Sequence, residues 1–220
     1  MSVKGNSVNI KDSPEVSGKV SGKFSGKGSG AYHHGDLRAA AIAAGMKRIE
    51  DMAHPDLGLR ALARELGVSA TALYRHFPNK DALLDALALE ALNRLGISQA
   101  TAAQAASDVR EGFVDVGVTY VKWSVENPAL VRLIYDRVGK VDLEADDPSE
   151  MGEAFLQLRK GITALMPDTM SGEQRTIAAL HAWSLVHGLA MLILDGQVEY
   201  DPQMVRKVVE STEFGSKESG

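Results

Sequence analysis

The chain has 220 residues and no cysteine. Disulfides and thiolate metal sites are therefore excluded, and a reducing compartment is permitted. No apolar run reads as long as the roughly eighteen residues that a membrane span needs. The N-terminus lacks the apolar core of a secretory signal, so the cytoplasm is the expected location. Catalytic signatures are missing as well. There is no nucleophile–base arrangement, no glycine pattern of a dinucleotide fold and no zinc spacing. Asp108, Asp115 and Glu126 form no paired-carboxylate arrangement. The N-terminal repeat SGKV-SGKF-SGKG imitates a phosphate-binding loop. Its glycines, however, are separated by three residues rather than four, and Phe24 or Gly28 stands where Ser or Thr is required. His33, His34 and Asp36 sit together without further ligands nearby and make a poor metal site. No catalytic residue, cofactor or metal is expected.

What is present is ordinary in bulk and uneven in distribution. Apolar residues make up 45% and charged residues 24%, as in a typical globular protein. The net charge of −5 argues at first against a nucleic-acid partner. Residues 1–80, however, hold 12 Lys/Arg against 7 Asp/Glu, whereas residues 81–220 hold 12 against 22. A basic first part on an acidic remainder is the charge layout of a nucleic-acid reader carried by a second domain.

The stretch LGLRALARELGVSATALYRHFPNKDALL, Leu57 to Leu84, organises the chain. Leu59, Leu62, Ala63 and Leu66 share one helical face. Gly67 stops that helix, because glycine tolerates the left-handed conformation of a helix end. Ser69 is placed to cap the next helix, with Val68 and Leu73 flanking it as a hydrophobic staple. Pro78 ends the second helix, and Asn79 can cap a third. Two helices joined by a glycine-containing turn make a helix-turn-helix unit. On the second helix Ala70, Thr71, Tyr74 and Arg75 fall on one arc, with Leu73 turned away. Small residues allow close approach to a groove, Thr71 and Tyr74 can donate hydrogen bonds, and the Arg75 fork suits guanine or phosphate. Arg60 and Lys80 open the neighbouring helices as phosphate anchors.

The segment AYHHGDLRAAAIAAGMKRIEDMAHPDLGLRALARELGVSATALYRHFPNKDALLDAL, Ala31 to Leu87, resembles the DNA-binding domain of the tetracycline-repressor-like (TetR) transcriptional regulators. Its most specific part is LARELGVSATALYRHFPNKDALL. The resemblance implies an all-α protein: an N-terminal three-helix, helix-turn-helix DNA-binding domain and a C-terminal helical ligand-binding and dimerisation domain. Carried over by position, Arg60, Ser69, Ala70, Thr71, Tyr74, Arg75, His76 and Lys80 are the DNA-contacting residues. Gly58 departs from the pattern, since members commonly carry a Ser or Thr cap there. The run WSLVHGLAMLIL, Trp183 to Leu194, with ENPAL upstream, resembles the subgroup named for its Trp-His-Gly motif.

Taken in order, residues 1–30 read as a disordered basic arm: either a solvated tail, or an arm whose Lys19, Lys23 and Lys27 track DNA. Residues 31–80 form the reader, 81–211 the helical body and 212–220 a flexible tail. In the first helix Ala39, Ile42, Met46, Ile49 and Ala53 make the apolar stripe, with Lys47 and Arg48 on a solvated face. From Lys80 a long helix runs to about Leu95 and ends at Gly96, and residues 98–107 are loop or helix. Further helices are expected over 108–127, after Pro128, through Phe155 to Leu165, over Ser171 to Leu194 and from Pro202 to Ser211, with a surface loop at 139–149. The 171–194 helix is apolar on nearly every side and reads as buried. Tyr120, Trp123, Trp183, His187 and Met191 are the candidate ligand contacts, although each also suits an ordinary core position.

The reading that follows is a homodimeric, DNA-binding regulator, most simply a repressor. It binds a double-stranded, pseudo-palindromic operator through residues 69–76 and is released by a small, hydrophobic inducer; no membrane is involved. The alternative is a helical-bundle enzyme or ligand carrier with a vestigial helix-turn-helix.

Overall fold

The computed structural model of the chain describes residues 34–51, 57–139, 141 and 152–211. The expected arm, the tail, His33 and most of the 139–149 loop lie outside these residues. The described residues form nine helices and no strand.

Helix α1 (His34–Asp51) buries Leu37, Ala41, Met46 and Ile49. Met46 and Ile49 of the expected stripe are thus buried and Ile42 is half-buried against the core, whereas Ala39 is exposed and Ala53 lies outside the described residues. The cause is the alanine run, which is acceptable on either side of a helix and carries no period of its own. Arg48, expected to be solvated, instead donates from Nε to Glu65 Oε2 at 2.7 Å and ties α1 to α2 (Leu59–Glu65). Gly58 is the N-cap of α2 and makes no side-chain capping bond. At the other end Gly67 takes φ 68°. The N–H of Val68 then reaches the Ala63 carbonyl at 2.9 Å, and that of Gly67 reaches Arg64 at 3.3 Å. These two bonds satisfy carbonyls that the helix end leaves open. The chain turns sharply into α3 (Ala70–Tyr74), which drives Leu73 and Phe77 into the core.

Helix α4 (Lys80–Ala105) does not stop at Gly96. It continues for two more turns, so the residues left open as loop or helix are helical through Ala105. Gly96 serves a different purpose from a cap. A Cβ there would lie 2.4 Å from the backbone nitrogen of Ala154. The missing side chain lets α7 (Glu153–Leu165) cross α4 almost in backbone contact. The Asn93 side chain of α4 also accepts from the Glu153 N–H at 3.2 Å, so one of α7's unpaired N-terminal donors is satisfied by α4.

The body is built around α5 (Val109–Glu126), which packs against α4, α6 (Pro128–Arg137), α7, α8 (Gly172–Leu194) and α9 (Pro202–Glu210). Gly117 of α5 admits Val209 and Val186, and Gly161 of α7 admits the Phe113 ring. Arg137 of α6 reaches back to the first turns of α4, donating to Asp81 at 3.0 Å and Asp85 at 2.9 Å. Ser171 and Gln174 form a reciprocal capping box at the start of α8.

Two expectations for α8 are corrected. Residues 177–194 contain no Lys, Arg, Asp or Glu, so this helix is long and apolar enough to cross a membrane by length and composition. Here it packs on α5, α7 and α9. Nor is it buried all round. Ala179, Ala182, Val186 and Ala190 face the core, whereas Ile177 (59%), Leu180 (44%) and Leu192 (42%) are exposed. A helix apolar on every side carries no sequence signal for which side turns inward.

Gly96→Ala is expected to destabilise the protein by about 1–3 kcal/mol through overpacking, although alanine is the better helix former. Urea denaturation of this variant beside Gly172→Ala checks it, because a Cβ at Gly172, in the first turn of α8, meets open space. Equal midpoints for Gly96→Ala and the wild type would rule out the close crossing.

Candidate nucleic-acid interface and internal cavity

The outward surface of the helix-turn-helix follows from what its inward residues do. Leu73 and Phe77 are fully buried, which fixes the rotation of α3. Thr71, Tyr74 and Arg75 are then exposed, Tyr74 at 42%, with Ala70 and His76 at the margin. Ser69 is exposed and also caps α3, its hydroxyl accepting from the Ala72 N–H at 3.2 Å. Arg60 and Lys80 are exposed at the starts of α2 and α4. Asn79 caps α4 by accepting from the Ala82 N–H at 2.8 Å. The residues read from sequence as DNA contacts thus lie on consecutive elements of the motif, and none is fully buried. Sequence reasoning missed Arg38 of α1, whose guanidinium stands 5.6 Å from the centre of the Phe77 ring. It places another cation beside the turn that follows α3. Its signal was its place one residue after the core position Leu37.

A second feature lies inside the body. Helices α4 to α9 enclose a cavity with a water-accessible volume of about 80 Å³. On that measure one water occupies roughly 10–15 Å³, so the space exceeds what a single trapped water fills. Its wall includes Leu92, Leu95 and Gln99 of α4, Phe113, Tyr120 and Trp123 of α5, Ile134 and Tyr135 of α6, Phe155 of α7, and Trp183 and Val186 of α8. Three of the residues singled out in sequence, Tyr120, Trp123 and Trp183, are on that wall. His187 stands behind it, and Met191 packs against the hydrophobic core without lining the cavity. Tyr135, Phe155 and Gln99 were missed. They come from three different helices, and only tertiary packing brings them together.

One side of the wall is a connected polar cluster. The Trp183 indole donates to the Tyr135 hydroxyl at 3.1 Å. The Tyr135 and Tyr120 hydroxyls are 2.5 Å apart, and Tyr120 is 3.0 Å from His187 Nδ1. An indole N–H can only donate, so Tyr135 accepts from Trp183. The order that uses every hydrogen of the chain within it has Tyr135 donating to Tyr120 and Tyr120 to His187 Nδ1, with a neutral imidazole protonated on Nε2. The electrostatics agree. Burial raises the pKa of both tyrosines and lowers that of His187, whose ring also stacks on Tyr135 with centroids 4.2 Å apart. A protonated His187 would turn Nδ1 into a donor and leave one tyrosine hydrogen without an acceptor in the chain.

A helix-turn-helix with a cationic outer arc, set on a body of helices, is the build of a DNA-binding transcriptional regulator. Residues 41–87 match the family described as bacterial regulatory proteins, tetR family, and residues 113–212 match the tetracyclin repressor-like C-terminal domain. The chain belongs to the TetR family of transcriptional regulators. It is 29% identical over 101 residues to an HTH-type transcriptional regulator of Mycobacterium tuberculosis, covering 45% of this chain and 43% of that protein. It is 49% identical over 51 residues to the class C tetracycline repressor protein of Escherichia coli, 23% of each chain. The matched segments thus span less than half the length of these curated relatives. A solved structure of a protein with unknown function from Rhodococcus sp. RHA1 is 33% identical, with a TM-score of 0.62 over 81% of this chain and 92% of that one.

The polar cluster predicts a pH dependence of stability. Between the lowered native pKa of His187 and its ordinary value of 6.5, the unfolded chain binds a proton that the native protein refuses. Stability therefore rises with pH across this window and falls as the pH drops through it. His187→Asn keeps an acceptor for Tyr120 and does not titrate. The stability of the wild type relative to this variant should be greater at about pH 7.5 than at about pH 5.5 in chemical denaturation. A difference that does not change with pH would mean that the native protein protonates His187 as readily as the unfolded chain.

Proposed function

We propose that the protein is a homodimeric repressor that reads a pseudo-palindromic operator through residues 69–76 and is released by a small, mainly apolar ligand held in the body. Residues 31–80 act as the reader and 81–211 as the ligand-binding and dimerisation part. A cytoplasmic location goes with this reading, since that is where such a DNA reader would act. The observation that carries this proposal is the continuity of α4. One unbroken helix begins at Lys80, beside the outward arc of α3, and forms the cavity wall with Leu92, Leu95 and Gln99. Whatever fills the cavity presses on the same rigid element that sets the reader. Arg137 adds a second link, because α6 lines the cavity with Tyr135 and grips Asp81 and Asp85 at the start of α4. The ligand shifts the DNA-bound arrangement only by its difference in affinity for the two states.

The exposed face of α8 supports the dimer. Ile177, Leu180, Ser184 and Leu192 lie along it, and Gly188 opens on unfilled space. Small residues at its middle allow a second copy of α8 to approach closely. A twofold dimer presents two copies of α3 to half-sites about one helical turn of DNA apart. Leu180→Glu buries a charge in that interface, and sedimentation should convert a wild-type dimer to a monomer at micromolar concentration. A wild-type monomer would refute the dimer, and an unchanged variant dimer would place the interface elsewhere.

Selection of bound sequences from a random DNA pool tests the reader directly. An enriched palindrome is expected. On it, Arg75→Ala should weaken binding and relax the preference at one base position by about 1–3 kcal/mol. Lys80→Ala should weaken operator and random DNA alike, because a phosphate contact carries no sequence information. Equal losses on both DNAs for both variants would place Arg75 on phosphate instead.

A further inference from the structure

Gln99 is 4% exposed and lines the cavity. Its Nε2 donates to the Val116 carbonyl at 3.1 Å, while its Oε1 is buried with no donor among the described residues. Turning the amide over does not help, since it would set Oε1 against the Val116 carbonyl oxygen and strand the NH2 group. The other polar groups of the wall are matched to one another. The Ser124 hydroxyl donates to the Tyr120 carbonyl at 2.8 Å, and Trp183, Tyr135 and Tyr120 form the chain that ends on His187. Arg110 is the single charged residue on the wall, and it is exposed. One buried acceptor is thus left open in a surface otherwise made of hydrocarbon, aromatic rings and satisfied hydrogen bonds.

From this we infer that the ligand is an uncharged, mostly aromatic or aliphatic molecule with one hydroxyl or N–H that donates to Gln99 Oε1. The inference rests on the ligand-responsive reading above and adds the chemistry of the molecule. A ligand without a donor leaves Oε1 buried and unpaired against apolar surface, which costs it binding. A carboxylate fares worse: its oxygens repel Oε1, and the buried wall offers no cation to pair with it. A matched pair of compounds differing only in the donor should therefore differ in affinity by about ten- to a hundredfold.

The test is calorimetric titration of the full chain, without DNA, with indole against benzofuran and with 1-naphthol against 1-fluoronaphthalene. The wild type should bind the donor-bearing member of a pair about ten- to a hundredfold more tightly. Gln99→Leu, which replaces the amide by hydrocarbon of similar size, should bring the ratio to about one, mainly by binding the donor-free compound better. Gln99→Met serves if the leucine variant does not fold. Equal affinities within each pair for the wild type would mean that solvent, not ligand, satisfies Gln99, and would overturn the inference. So would a preference that survives in the variant, which would assign the donor to another group, and so would the failure of all four compounds to bind. The ligand-responsive reading fails separately: donor-selective binding that leaves DNA affinity unchanged refutes that reading and leaves the Gln99 contact standing.

Discussion

The body of this protein depends on the crossing of α4 and α7 at Gly96. Two helix backbones meet there at a distance that no side chain permits, and the surrounding residues are fitted to that approach. Asn93 supplies the bond that the first turn of α7 needs. Leu92 closes against Gly152, whose φ of 75° turns the chain into α7. With α7 held this close, Phe155 is brought edge-on to Trp183 of α8, with ring centres 4.9 Å apart, and one wall of the cavity is set. A bulkier residue at position 96 would push α7 outward and open the cavity towards solvent. One missing methyl group thus determines both the packing of the body and the shape of its interior.

The helix-turn-helix was readable residue by residue because its signals are local. Gly67, Ser69 and Asn79 each act on their nearest neighbours, and each does in the structure what its chemistry dictates, whereas α3 ends at Tyr74, before Pro78 is reached. Leu73 was correctly turned inward, since a five-residue helix leaves little freedom once one side is apolar. Gly96 was misread for the same reason that Gly67 was read correctly. A glycine carries two possible meanings, a left-handed turn or a close approach, and only the second depends on a segment distant in sequence. The exposure of Ala39 in α1 and the inward side of α8 were also out of reach, because runs of alanine and leucine fit either side of a helix. The cavity was half legible. Aromatic residues marked α5 and α8, but Gln99, Tyr135 and Phe155 acquire their role only through the fold.

The wall of the cavity joins two kinds of surface with different demands. The tyrosine, tryptophan and histidine side is self-sufficient: its polar groups are hydrogen-bonded to one another, and the chain stiffens three helices against one another. The Gln99 side is incomplete, with one acceptor held in place by a bond on its other arm. A self-satisfied cluster and one open acceptor on the same apolar wall suit recognition of orientation, because a molecule can satisfy Oε1 in only one sense.

The Gly96 crossing also makes α4 a lever. It lies sixteen residues from Lys80, or roughly 24 Å along a helix. A rotation of about 5° around that fulcrum would carry the start of α4 by roughly 2 Å. The cavity-lining residues Leu92, Leu95 and Gln99 all lie within about a turn of the pivot, the first two on the Lys80 side and Gln99 beyond it, so a displacement there of a few tenths of an ångström becomes several times larger at Lys80. In a dimer that must match two half-sites on a stiff duplex, the two levers act on the same distance, and their displacements add.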